Sequence, residues 1–153
     1  MATVHIGIGS NLGNREENCG RAIRFLHANG IIVNRMSSMI ETEPLGVTDQ
    51  EKFINMAVEA RTDLGPEELL AALKKIESDM GRLPSEKWGS RVIDLDILFY
   101  DDLVMKTDDL EIQHPYIKER DFVLKPLAEI APEKIHPVFK KTVRELLAEL
   151  ASD

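Results

Sequence analysis

Ile31-Ile32-Val33-Asn34-Arg35-Met36-Ser37-Ser38-Met39-Ile40-Glu41, followed at a distance by Phe53-Ile54-Asn55-Met56-Ala57-Val58-Glu59-Ala60-Arg61-Thr62, decides the fold. The first run is rich in Ile, Val and Met and reads as a strand over 31–41. The second alternates, with Ile54, Met56, Val58 and Ala60 on one face and Phe53, Asn55 and Ala57 on the other. Between them Glu43-Pro44-Leu45-Gly46-Val47-Thr48-Asp49-Gln50 is polar and turn-prone, a long loop with no helical pattern. Two strands joined without a helix run antiparallel, because a parallel pair needs a crossover.

Working outward, Val4, Ile6 and Ile8 alternate with His5, Gly7 and Gly9, which predicts a first strand. Asn14 with Glu17 resembles a capping box, Cys19, Ala22, Ile23 and Leu26 follow at helical spacing, and Gly30 is a natural stop. Pro66 opens a second helix where its missing N–H costs nothing, and Gly81 ends it. Residues 91–100 read as a strand, with short extended pieces near 103–105 and 110–113. Residues 117–131 are expected to be helical in part, with Pro126 kinking or interrupting them. Thr142 and Glu145 form a capping box for a last helix, with Val143, Leu146, Leu147 and Leu150 as its apolar stripe. The order β-α-β-β-α-β predicts an α+β sandwich of the ferredoxin-like type, a mainly antiparallel sheet with helices packed on it.

A chain of 153 residues fits one domain, here 1–153, large enough for a real core. Its net charge of −8 disfavours nucleic acid and anionic membrane as partners. Cys19, the only cysteine, cannot form an internal disulfide. The first residues lack the basic start and apolar run of a secretory signal, and no stretch reaches the length of a membrane span. The expectation is a cytoplasmic monomer acting on small molecules.

The strongest chemical signal is Arg91-Val92-Ile93-Asp94-Leu95-Asp96-Ile97-Leu98. On a strand Asp94 and Asp96 share a face, about 6.5–7 Å apart, while Ile93, Leu95 and Ile97 point into the core. Two like charges at that spacing call for a neutralising partner, and oxygen-only ligation suits Mg²⁺; the plainer reading is a solvated strand face. Arg82, Lys87, Arg91, Lys118 and Arg120 are surface charges singly, and together a basic patch able to hold ATP. Glu77 falls on the apolar helical stripe of Leu70, Leu73 and Met80, so it either lies at a boundary or meets a ligand. Asn55, on the face of Phe53, either reads the edge of a flat heterocycle or bonds a loop backbone. Trp88, in a polar loop, either packs down or swings over a bound ring. Gly7-Ile8-Gly9-Ser10-Asn11-Leu12-Gly13 has neither the dinucleotide spacing nor a following Gly-Lys-Ser/Thr, and reads as a tight structural turn.

Taken together, several segments resemble the 6-hydroxymethyl-7,8-dihydropterin pyrophosphokinase family of folate biosynthesis. They are Gly9-Ser10-Asn11-Leu12-Gly13, Thr42-Glu43-Pro44-Leu45-Gly46, Phe53-Ile54-Asn55-Met56-Ala57, Ile76-Glu77 with Gly81-Arg82, Trp88-Gly89-Ser90-Arg91-Val92-Ile93-Asp94-Leu95-Asp96-Ile97-Leu98, and His114-Pro115 leading to Arg120-Asp121-Phe122-Val123-Leu124. They run in family order over roughly residues 3–132. The resemblance implies transfer of the β,γ-diphosphate of ATP to the hydroxymethyl group of the pterin, releasing AMP. It implies that Asp94 and Asp96 bind two Mg²⁺ ions, with Arg82 and Arg91 as further catalytic residues. Thr42, Pro44, Leu45, Phe53, Asn55, Trp88 and Phe122 match pterin-pocket positions. Glu77, Arg82, Trp88, Arg91, Ile97, His114, Lys118 and Arg120 match positions around ATP. The loops at 43–51 and 82–90 correspond to loops that close over the substrates. The chain departs from the family pattern at Pro84-Ser85, Asp109, Glu111 and Gln113. A nucleotide-binding module without turnover and a kinase moving only the γ-phosphate are the competing readings.

Overall fold

A computed structural model describes residues 1–42, 52–81, 92–113 and 117–151. Pro44, Leu45, Arg82, Trp88, Arg91 and His114, with the loops at 43–51 and 82–90, lie outside the described residues. The elements are β1 (Ala2–Ser10), α1 (Arg15–Ala28), β2 (Ile31–Met36), β3 (Ile40–Thr42), β4 (Phe53–Thr62), α2 (Pro66–Asp79), β5 (Asp94–Tyr100), β6 (Met105–Lys106), β7 (Glu111–Ile112), a 3₁₀ turn (Ile117–Glu119), α3 (Asp121–Ile130) and α4 (Val143–Ala151).

The main sheet has the order β2-β4-β1-β5, with β3 also pairing β4, and β6 and β7 form a separate hairpin. Each pairing in the main sheet is antiparallel. This is the ferredoxin-like α+β arrangement predicted from the β-α-β-β-α-β order of the sequence. The start and stop signals act where the sequence places them. Asn14 Oδ1 accepts the Glu17 N–H at 3.1 Å. Gly30 and Gly81 take φ values of +81° and +97°, which a side chain would resist. Thr142 and Glu145 exchange both capping-box bonds, at 3.0 and 3.1 Å.

Two expectations are corrected. The strand expected over 31–41 is divided into β2 and β3. Ser37 donates its N–H to the Ala57 carbonyl at 2.9 Å, and its hydroxyl accepts the Ala57 N–H at 2.8 Å. A serine hydroxyl thus takes a place in the ladder that a backbone carbonyl would hold. Ser38 turns to α3, where both its N–H and its hydroxyl donate to Glu129, at 2.9 and 2.7 Å. The second correction concerns the interruption expected at Pro126, which lies inside α3 without ending it. Pro126, Leu124, Leu127 and Ile130 are buried, so packing offsets the lost helical hydrogen bond.

Helices cover the sheet on both faces. On one, Val4, Ile6, Ile8, Met56, Val58, Leu95 and Ile97 pack with Cys19, Ala22 and Leu26 of α1 and Leu69, Leu73 and Ile76 of α2. On the other, Ala57, Leu98 and Phe99 pack with Leu124, Leu127 and Ile130 of α3 and Val143 and Leu146 of α4. A β-bulge makes the second core possible. Ile6 pairs Ile97 but His5 pairs Phe99, so one extra residue on β5 brings Leu98 and Phe99 to the same face. No helix among the described residues is long and apolar enough to cross a membrane.

Candidate active site

The second face of the sheet carries small or polar residues at the end of β1 away from that core. Gly9 pairs with Asn55 on β4 and with Asp94 on β5. Gly7 pairs with Ala57 on β4 and with Asp96 on β5. Side chains directly opposite across antiparallel strands share a face, so Asn55, Asp94 and Asp96 rise from one surface around two glycines. Two strand spacings place the Asn55 and Asp94 backbones about 10 Å apart.

On the β4 side, Asn55 Nδ2 donates to Thr42 Oγ1 at 2.7 Å. Thr42 pairs with Phe53, so three of the residues matched to the pterin pocket stand together at the β3–β4 end. The bond to Thr42 orients the Asn55 amide and leaves its carbonyl over Gly9. A Cβ at Gly9 would lie 2.8 Å from Asn55 Oδ1 and 3.5 Å from a Phe53 ring carbon. That space exists only because residue 9 has no side chain.

On the β5 side, Asp96 is exposed and Asp94 half-buried. No group of three His, Cys, Asp or Glu able to hold a metal occurs among the described residues. Two carboxylates with the remaining positions left to water and phosphate oxygens is the donor set Mg²⁺ takes, so these residues fit the ion. Glu77 of α2 is buried, and its Oε2 accepts the Leu95 N–H at 2.9 Å. This is the partner a carboxylate on an apolar stripe needs. It also holds the edge strand between the two aspartates.

The other matched residues divide. Arg120 and Phe122 come together, the guanidinium carbon 5.6 Å from the ring centroid. Lys118 instead places its ammonium 4.7 Å from the centre of the Phe139 ring, in the packing of the C-terminal segment. Ile97 is buried among the helix-face core residues, so any ligand meets its backbone and not its side chain. Cys19 is buried and free, its thiol pushed up to about 11 by burial, which makes it inert.

Sequence reasoning set Gly7 and Gly9 on the first strand and read the 7–13 run as ending in a structural turn, without giving either glycine a place on the open face. They belong to β1, and the turn lies beyond them, where Gly13 takes φ +74° and Asn18 Nδ2 donates to Ser10 Oγ at 3.3 Å and to the Leu12 carbonyl at 2.8 Å. Their alternation with Ile6 and Ile8 was the available signal: it sets both on the face opposite the core.

Fold and open face define a small α+β domain that carries two strand aspartates and a Thr42-bound asparagine on one sheet surface. A sequence profile for 7,8-dihydro-6-hydroxymethylpterin-pyrophosphokinase (HPPK) matches residues 5–132. The 2-amino-4-hydroxy-6-hydroxymethyldihydropteridine pyrophosphokinase of Aquifex aeolicus is 41% identical over 149 residues, 97% of this chain and 92% of that one. Its Bacillus subtilis counterpart is 44% identical over 131 residues, 85% and 78% of the two chains. The chain also matches a mitochondrial folate synthesis bifunctional protein of Pisum sativum, at 49% identity over 83% of this chain but only 25% of that protein. In fold it is similar to Plasmodium falciparum HPPK-DHPS, with a TM-score of 0.77 at 17% identity, over 99% of this chain and 44% of that one. The chain belongs to the 7,8-dihydro-6-hydroxymethylpterin-pyrophosphokinase family.

Proposed function

We propose that this chain transfers the β,γ-diphosphate of ATP to the hydroxymethyl group of 6-hydroxymethyl-7,8-dihydropterin, releasing AMP, as a step of folate biosynthesis. The observation that carries the reading is the row Asn55–Gly9–Asp94, an amide and a carboxylate on one sheet face with only a glycine between them.

In this reading Asn55 and Thr42 bond the edge of the pterin ring. Phe53, Trp88 and Phe122 stack on it, and Pro44 and Leu45 complete the wall. Asp94 and Asp96 would hold two Mg²⁺ ions, whose charge would neutralise that of the phosphates. Glu77, Arg82, Trp88, Arg91, Ile97, His114, Lys118 and Arg120 surround ATP, with Arg82 and Arg91 steadying the charge that develops during transfer. The hydroxymethyl oxygen attacks the β-phosphorus, the bond from that phosphorus to the α-phosphate oxygen breaks, AMP leaves, and the hydroxyl proton is released. Nothing in this sequence of events needs a protein nucleophile; positioning and charge neutralisation suffice. The chain acts as a cytoplasmic monomer on small molecules, a reading supported by its acidic charge.

Incubation with ATP, Mg²⁺ and 6-hydroxymethyl-7,8-dihydropterin tests the proposal, and equal amounts of AMP and diphosphorylated pterin are expected. ADP as the nucleotide product would make the protein a γ-phosphate kinase, and no conversion would make it a binding module. Either result overturns the reading.

A further inference from the structure

We infer that Arg15 is a positioning residue for the pterin side of the site, an inference that rests on the function proposed above. Arg15 is the first residue of α1, beyond the turn that Asn18 fastens to Ser10 and Leu12. One arm of its guanidinium donates to the Lys52 carbonyl at 2.6 Å, and the other lies 3.0 Å from Glu41 Oε2. Lys52 immediately precedes Phe53, and Glu41 immediately precedes Thr42. The fork of one side chain therefore joins the ends of β3 and β4 at the two residues flanking the Thr42–Phe53 pair.

Local helix energetics do not account for a cation there. The first turn of a helix favours negative charge, as Glu16 and Glu17 supply, and a basic residue at its start opposes the dipole. An isolated, partly exposed ion pair to Glu41 contributes little by itself. The second bond goes to the backbone carbonyl that leads into β4, and the planar guanidinium makes it alongside the first with both donors held in one fork, a geometry that a single ammonium nitrogen does not pre-organise. Glu41 pairs with Ile54, on the face away from Asn55, so Arg15 grips the strands from behind the pocket. The guanidinium keeps the spacing and register on which the Asn55–Thr42 bond depends, without touching a ligand.

Steady-state kinetics on the wild-type protein, Arg15→Ala, Arg15→Lys, Glu41→Gln and the Arg15→Ala/Glu41→Gln double variant test this, each substrate varied at saturation of the other. Arg15→Ala is expected to raise KM for the dihydropterin alcohol about tenfold, the scale of one charge-assisted hydrogen bond, with KM for ATP within about twofold of wild type. Glu41→Gln gives a smaller rise of the same kind, Arg15→Lys recovers part of the loss, and the double variant matches Arg15→Ala. If Arg15→Ala does not fold, Glu41→Gln and Arg15→Lys carry the measurement. Unchanged pterin KM in the folded variants, or equal rises for ATP and pterin, would overturn the inference in favour of a merely structural role. Absence of AMP formation by the wild-type protein removes the functional reading and this inference with it, whereas an active wild type with insensitive variants removes the inference alone.

Discussion

At Gly9 a single methyl group would enter the space that the Asn55 carbonyl occupies. Asn55 would have to turn and give up Thr42, so Gly9→Ala is expected to raise KM for the pterin roughly tenfold while the circular dichroism spectrum stays unchanged. An unaltered KM would remove Gly9 from the pocket floor. Asp94→Ala and Asp96→Ala are each expected to lower turnover by about a hundredfold or more, the scale of losing one preorganised electrostatic group. Near-normal rates in saturating Mg²⁺ would contradict their assignment as ligands. The aspartate pair was readable in the sequence because a strand repeats every second residue and the apolar Leu95 between them declares which face is core. Glu77 was readable as an anomaly only. Its partner, the Leu95 N–H, belongs to an element 18 positions away.

Helix ends were the most legible elements, since capping is settled by residues three or four apart. Thr142 and Glu145 satisfy each other's N–H groups at the start of α4. Thr142→Ala removes one of those bonds and is expected to lower Tm by about 2–4 °C, measured by thermal denaturation, without a change in KM for either substrate. A larger loss with altered KM would show that α4 supports the site and not merely the second core. The division between β2 and β3 was less legible, because Ser37 in isolation is an ordinary strand residue. Only its pairing with Ala57 shows the hydroxyl acting in place of a carbonyl. Pro126 misled for the opposite reason: local propensity argues for a break, and burial against the sheet overrides it.

Across the molecule, the second core is expected to lose stability in acid. His5 is buried between Glu59, 3.2 Å from its Nε2, and the edge of the Phe99 ring. Burial lowers its pKa below 6.5, Glu59 opposes that shift, and Lys134 and Arg35 reinforce it. Burial also holds His136 below 6.5, and its Nδ1 accepts the Val138 and Phe139 N–H groups at 3.2 Å, which a protonated nitrogen could not do. Just below pH 6.5 the unfolded chain therefore binds more protons than the folded one. Stability is full above about pH 7 and is lost as the pH falls through the unfolded value towards the lower folded ones. Thermal midpoints taken between about pH 8 and pH 5 should be level at the alkaline end and decline below neutrality. A profile flat to the acid end would show that neither imidazole is held neutral.

By itself the sequence determined most of the elements, their inward faces, the antiparallel plan and the carriage of both aspartates on one side of a strand, but not the division of β2 from β3 nor the unbroken course of α3. What it determined depends on periods of 2 and 3.6 residues and on short caps, which are local properties of the chain. Tertiary structure alone decided that β1 lies between β4 and β5, which brings Asn55 and Asp94, 39 positions apart in sequence (94 − 55), to either side of Gly9. It also decided that Arg15 reaches the backs of two strands, and that an extra residue on β5 turns both Leu98 and Phe99 towards α3 and α4. Strand order and bulges arise from non-local pairing, where the burial of two cores at once selects the register, and no window of neighbouring residues contains that choice.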